Sequence, residues 1–428
     1  MEKVHNYNIN ESNELMIGNF SAKNLVETYQ TPLYVMDEHR IVENMKNMKQ
    51  SFSQQSLKTE VIFAGKAFLT KAMVKLIKEN NLSLDVVSIG ELYTAISAGF
   101  DPKNIYFHGN NKTEEEIVYA LNVEVGTIII DHKDEFELLS SLATNYYPHL
   151  LLRINTGVEA HTHEYIKTTH HNSKFGVSAY DDKTLDLINM INQSPFDFMG
   201  IHAHIGSQIF EISSFQQHTI EMIEFSYKVK QKLNVDINYI NLGGGFGIKY
   251  TDEDRVPNIK EMLKEVLNTA DEHIKKLNLN IKKLMIEPGR SIVADAGVTL
   301  YSVGSLKTTY GQKNYIFVDG SMADHMRTAL YQAKYEAVIA NRVNGEKNTI
   351  YTIAGKACES GDMIIHDIKL PEVKKNDIIA VFTTGAYHYS MASNYNRLLK
   401  PAVIFVNQDK ARIVVKRETL KDLIRNDL

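Results

Sequence analysis

VIFAGKAF at residues 61–68 and LMIEPGRS at residues 284–291 share one grammar: an apolar run rich in β-branched residues, a glycine-bearing turn, and an ionisable side chain at the end of the run. Six segments between them repeat it: LDVVS to Ser88, IYFHG to Gly109, TIIID to Asp131, LLLRIN to Asn155, MGIHAHI to Ile205 and YINLG to Gly243. Polar stretches with apolar residues three and four apart separate these runs, for example TKAMVKLIKEN (70–80), TEEEIVYALN (113–122), KTLDLINMIN (183–192) and IKEMLKEVLNTADEHIKKL (259–277). That alternation is the pattern of parallel strands joined by crossover helices. Eight runs predict an α/β fold closed as a TIM-like (β/α)8 barrel. The unusual residues gather at strand ends: Lys66, Ser88, His108 to Asn111, Arg153 with Asn155, His204, Gly243 to Gly245, and Glu287 with Arg290. In such a barrel those ends form one rim, where active sites are built.

Beyond Arg290 the texture changes to period-two runs with Gly and Asn punctuation: GVTLYSVGSL, NYIFVDG, NTIYTIAG, DIIAVFTTGAY, PAVIFVN and ARIVVKR. They predict an antiparallel β-domain. The expected division is a barrel over residues 30–290 and a β-domain made of residues 1–29 and 291–428, because the first thirty residues do not share the barrel rhythm. The 428 residues carry 43% hydrophobic and 23% charged side chains, values of a globular chain, with no apolar stretch of membrane-spanning length. A net charge of -5 offers no general attraction for nucleic acid. The single cysteine, Cys358, cannot form an internal disulfide, and MEKVHNYNIN lacks the apolar core of a signal peptide, so a cytoplasmic setting is expected.

Several motifs carry chemistry. Lys66 closes an apolar strand, which sets its ammonium at the barrel mouth as a candidate nucleophilic amine. A surface lysine is the plainer reading. In NLGGGFG (241–247) three successive glycines leave backbone N–H groups open to an anion, a phosphate in the first instance. A tight βα turn is the alternative there. The glycines fit neither GxGxxG nor Walker A, since Lys66 and Lys356 are each followed by alanine. EPGRS sets Glu287 and Arg290 three positions apart on one turn, and HIGSQ sets His204 beside Ser207. In HTHEY, His161, His163 and Glu164, followed by His170 and His171, match no zinc spacing, so no metal is expected. CESGD places Cys358 beside Glu359 and near Asp362, whose like charge disfavours a thiolate and suits a protonated acid.

Taken in order, FAGKAF, DVVSIGEL, HGNNK, RINTGVEAHTHEY, SKFG, HIGSQI, NLGGGFGIKY, EPGRS, VDGSMADHMRTALY, CESGD and GAYHYSMASNYN resemble the diaminopimelate decarboxylases, pyridoxal-phosphate enzymes of the alanine-racemase-like fold. The likeness runs from about Thr31 to Pro401. It implies decarboxylation of meso-2,6-diaminopimelate to L-lysine and carbon dioxide, the last step of lysine biosynthesis. It also implies a homodimer whose active sites lie between one subunit's barrel and the other's β-domain. By the resemblance, Lys66 holds the cofactor as an imine, His204 stacks on its ring, and Glu287 faces the pyridine nitrogen. Phosphate falls to Ser207, Gly243, Gly244, Gly245, the Gly289–Arg290 turn and Tyr387. The substrate's distal carboxylate falls to Arg290, Arg327 and Tyr331, with Tyr387 also lining the substrate, and its distal ammonium to Glu359. Cys358 reprotonates the carbanion from across the dimer. Thr156 and Thr328 stand where many members of the family have proline.

Two rival functions remain open on the sequence. A basic-amino-acid decarboxylase of the same fold would bring a distal cation, which a pair of arginines repels. A carrier that binds the cofactor without turnover would not need both Lys66 and Cys358.

Overall fold

A computed structural model describes residues 3–158 and 173–428. The chain forms two compact units: Met45–Gly247 with Arg255–Ser291, and Met1–Asn44 with Ile248–Asp254 and Ile292–Leu428.

In the first unit the eight runs are eight strands: β1 (Lys58–Ala64), β2 (Ser83–Val86), β3 (Ile105–Phe107), β4 (Thr127–Ile130), β5 (His149–Asn155), β6 (Asp197–His202), β7 (Tyr239–Asn241) and β8 (Lys283–Ile286). Each pairs in parallel with the next, and β8 pairs with β1 (Lys283↔Lys58 to Ile286↔Val61), which closes the barrel. Strands buried on both faces read as continuous apolar runs, as TIII does in β4, whose four residues are all buried. Helices follow the strands with caps at the rim. Thr70, Ser88, Thr113, Asp181 and Asn258 each accept a backbone N–H of the first helical turn, and Thr113 with Glu116 completes a capping box. The two barrel ends differ in kind. At the strand starts, Glu60 of β1 accepts from Ser83, from Tyr106 at 3.0 Å and from Lys283 at 2.7 Å, a satisfied polar plug beneath Ile62, Ile129, Leu151 and Met285. The strand ends hold the groups described below.

The second unit is mainly antiparallel, with two exceptions to the sequence expectation. Asn314–Val318 pairs in parallel with Thr349–Ala354, and Leu33–Asp37 pairs in parallel with Ala402–Asn407. The second pairing also moves the N-terminal boundary. Leu33–Asp37 lies between Gly297–Thr308 and Ala402–Asn407, so its hydrogen bonds hold the chain with the β-unit through Asn44, past the expected residue 29. Before it, a four-stranded antiparallel meander buries Tyr7, Ile9, Leu15 and Ile17 against Val35, Ile404 and Val406. Leu15 and Ile17 are fully buried, worth about 1.5–3 kcal/mol each. Among the described residues no helix is long and apolar enough to cross a membrane.

Candidate active site

Lys66 sits in a single helical turn, Gly65–Ala67, directly after β1. Only glycine fits before it, because a Cβ at residue 65 would stand 2.7 Å from the Asp85 carbonyl oxygen. Lys66 is exposed at the rim, and its charge acts on Asp85, Glu91 and His204. Burial pushes the Asp85 carboxyl up to about 6 and the Glu91 carboxyl up to about 7, with Lys66 pulling both the other way.

Glu287 ends β8 and is buried. Three side chains reach its carboxylate: His108 Nε2 stands 2.9 Å from Oε1, His202 Nε2 stands 3.0 Å from Oε2, and Asn241 Nδ2 donates to Oε1 at 2.7 Å. Burial alone would raise this carboxyl, but electrostatic attraction and hydrogen bonds from the His108 and His202 rings hold it well below the usual range. His202 is pushed down to about 3 by burial, so it is a neutral imidazole near pH 7. Its Nδ1 is buried with no hydrogen-bond partner, which places the proton on Nε2, facing Glu287. Asp85 Oδ1 lies 3.9 Å from His108 Nε2. His108, His202 and Glu287 also have the spacing of potential metal ligands, within 4.8 Å of one another, but the hydrogen bonds to the carboxylate account for that closeness.

His204 is held at its Nδ1 by the N–H of Gly244 at 3.1 Å, so its neutral form carries the proton on Nε2. Burial, then the charges of Lys66 and Arg153, keep it well below the usual histidine range. The glycine run departs from the sequence expectation. Two of its three N–H groups are committed inside the protein, Gly243 to Asn241 Oδ1 at 2.9 Å and Gly244 to His204, which leaves Gly245 to meet an anion. Gly245 has φ +103°, and a Cβ there would stand 2.5 Å from the Gly206 carbonyl oxygen. Nearby, Arg290, buried at the start of the turn after Gly289, donates from Nη2 to Ser207 Oγ at 2.9 Å. Glu287 and Arg290 are thus engaged with different partners, and neither is a surface charge. A guanidinium, a hydroxyl and a glycine loop at one end, with an ionised carboxylate at the other, fit pyridoxal phosphate: anion sites for its phosphate and a counter-charge for its ring nitrogen.

The remaining predicted residues belong to the β-unit. Arg327 is buried, donates from Nε to Tyr335 OH at 3.1 Å, and lies over the rings of Tyr331 (4.9 Å) and Tyr387 (5.4 Å). Tyr387 has φ 61°, a left-handed conformation rare for an aromatic residue and typical of functional loops. Cys358 and Glu359 are exposed, so Cys358 is not a core residue; Asn396 Oδ1 accepts its N–H, and Tyr395 OH donates to Glu359 at 3.3 Å. His161, His163, Glu164, His170 and His171 lie outside the described residues. Thr328 donates to the Ile364 carbonyl at 2.8 Å, whereas Thr156 Oγ1 is buried without a partner.

Sequence reading missed Asp85, Glu91, His202 and Asn241. The last two carried a signal: each stands two residues before a residue singled out, His204 or Gly243, at the last position of its strand.

The family profile described as "Pyridoxal-dependent decarboxylase, pyridoxal binding domain" matches residues 38–294. The chain is 47% identical to a diaminopimelate decarboxylase of Bacillus subtilis, over 98% of this chain and 96% of that one. It is 46% identical to a diaminopimelate decarboxylase of Staphylococcus aureus, over 98% of both. A crystal structure of the M. jannaschii diaminopimelate decarboxylase with L-lysine superposes with a TM-score of 0.92 at 32% identity, covering 99% of this chain and 97% of that one. A closed barrel with a lysine, a buried carboxylate and an anion cradle at its rim, joined to full-length similarity of this degree, places the chain in the pyridoxal-dependent decarboxylases, among the diaminopimelate decarboxylases.

Proposed function

We propose that the chain decarboxylates meso-2,6-diaminopimelate to L-lysine and carbon dioxide with pyridoxal phosphate as cofactor. The observation that carries the reading is Glu287: a buried carboxylate kept ionised at the strand ends, opposite an anion cradle. When bound, pyridoxal phosphate supplies an aldehyde for covalent capture of an amine and a ring that accepts the electron pair left by carbon dioxide.

The residues divide the work. Lys66 would hold the cofactor covalently from an exposed rim position that a substrate amine can reach. His204, fixed by Gly244, lays a neutral ring against the cofactor. Ser207, Gly245, Gly289, Arg290 and Tyr387 hold the phosphate, with Gly243 and Gly244 shaping the loop. Glu287 holds a proton at the pyridine nitrogen. Arg327 and Tyr331, with Arg290, orient the distal carboxylate, for which a planar guanidinium is suited. Glu359 takes the distal ammonium, and Cys358 delivers a proton to the α-carbon. The exposure of Cys358 and Glu359 supports a homodimer in which these two residues of one subunit serve the barrel of the other. The cytoplasm is the proposed compartment.

A purified-protein assay with carbon dioxide as readout, comparing diaminopimelate with lysine, ornithine and arginine, tests the substrate. Turnover of diaminopimelate alone is expected, and faster release from ornithine or arginine refutes the reading. Lys66→Ala abolishes the visible band of the bound cofactor, while Cys358→Ala keeps the band and slows turnover. Mixing the two variants regenerates activity if sites are shared across a dimer; subunit exchange without recovery refutes sharing.

A further inference from the structure

A buried carboxylate is expensive to keep ionised. The usual remedy is a cation, and the barrel contains that solution elsewhere: Glu135 is paired with Lys112 at 2.6 Å, both side chains 1% exposed. Glu287 is treated differently. It receives Asn241, a neutral amide, together with His108 on Oε1, and on Oε2 His202, whose unpartnered Nδ1 marks a neutral Nε2–H donor. A lysine in their place would cancel the charge that a protonated pyridine needs, whereas neutral N–H donors stabilise the carboxylate and leave its charge available.

We infer that His202 and Asn241, with His108, are positioning residues that keep Glu287 ionised and oriented without neutralising it, and so set the protonation of the cofactor's ring nitrogen. The inference rests on the proposed placement of Glu287 against that nitrogen. Geometry gives the set a second function. Asn241 donates from Nδ2 to Glu287 and accepts the Gly243 N–H at Oδ1, so one amide fixes both the carboxylate and the first residue of the glycine loop. Among the described residues, the other charged or titratable groups coupled to the cluster include Asp85, Glu91, Tyr106, Arg153 and His204. Asp85 and Arg153 are left unchanged by the variants below.

N–H donors to a carboxylate lower its titration by about one pH unit each. His202→Phe removes a donor at similar volume, and His202→Gln restores an N–H near the Nε2 position. The glutamate side-chain carboxyls of the full chain, labelled with carbon-13, are titrated by NMR with pyridoxal phosphate bound and again after its removal; the Glu287 signal is the one absent from Glu287→Gln. The expected result is an upward shift of its titration by about one unit in His202→Phe, with His202→Gln close to the unmodified chain. The low-pH limb of the decarboxylation profile moves in the same direction. Asn241→Asp keeps the acceptor for Gly243, replaces the donor by an acid, and gives a larger upward shift, which secures the test if His202→Phe does not fold. An unmoved Glu287 titration in folded His202→Phe or Asn241→Asp, or a Gln variant indistinguishable from Phe, overturns the inference. Undiminished decarboxylation by Glu287→Gln overturns the placement of Glu287 at the ring, and is recognisable because the carboxyl titrations of the His202 variants do not depend on it.

Discussion

Lys112→Met breaks the buried ion pair at the barrel rim, and its cost follows from the contacts. The Lys112 ammonium donates to Glu135 Oε1 at 2.6 Å, to the Ile129 carbonyl at 2.8 Å and to the Gly109 carbonyl at 3.0 Å. Methionine fills the space of the stem and leaves Glu135 charged and buried beside two carbonyls without their donor. Removing one member of a buried pair costs about 3–5 kcal/mol. At about 2–4 °C per kcal/mol for a unit of this size, melting falls by roughly 6–20 °C. The double variant Lys112→Met, Glu135→Leu removes both charges and recovers most of the loss. Recovery stays incomplete because Glu135 Oε2 also accepts the Asp131 N–H at 3.0 Å. Thermal unfolding by circular dichroism, for both variants with and without cofactor, measures this. Ion pairs this deep are little screened, so the loss persists at high salt. A fall of under 3 °C for the single variant, or a double variant less stable than the single one, refutes the reasoning. The same lysine steadies the loop that begins at His108, so a weaker hold on the cofactor is expected alongside.

Three further outcomes are expected. His325 is fully buried with both ring nitrogens unpartnered, and burial pushes it down to about 3; the unfolded chain therefore takes up a proton below about 6.5 that the folded chain refuses. Stability held above that pH is lost on acidification, so His325→Phe gains about 2 kcal/mol on the unmodified chain between pH 7 and pH 5, and a constant difference in denaturant midpoint across that range counts against it. Thr156→Val, which removes a buried hydroxyl without a partner, raises stability by about 1 kcal/mol, whereas Thr328→Val, which orphans the Ile364 carbonyl, lowers it by about 1–2 kcal/mol; equal effects in urea unfolding contradict this. Gly245→Ala, forced into φ +103° with its Cβ 2.5 Å from the Gly206 carbonyl oxygen, weakens pyridoxal phosphate binding at least about tenfold in a fluorescence titration, and unchanged affinity removes Gly245 from the cradle.

The barrel was legible because its strands are buried on both faces and its helices on one, which writes two different periods into the sequence. Lys66, Glu287 and the glycine run were legible because strand ends are where polar residues interrupt apolar runs. Pairing over long sequence distances was not. LYVMD at 33–37 reads as a buried strand, yet nothing local says that it lies between Gly297–Thr308 and Ala402–Asn407. MIIHDIKL at 363–370 escaped notice because its alternation is broken, its burial running from two adjacent buried residues into exposed ones. The gathering of donors around Glu287 escaped for a third reason. His108, Asn241 and His202 come from the turn after β3, from β7 and from the end of β6, and only closure of the barrel gathers them.

The position of Leu33–Asp37 has a consequence for synthesis. This apolar segment leaves the ribosome early, but its antiparallel neighbour begins at Gly297 and its parallel neighbour at Ala402. The whole barrel sequence is translated before the first partner emerges. Until then the strand exposes unsatisfied backbone edges and Leu, Tyr, Val and Met side chains to water on the nascent chain. A ribosome that stalls between Thr308 and Ala402 therefore releases a nascent chain with one side of this ribbon open, a surface that chaperones would be expected to recognise.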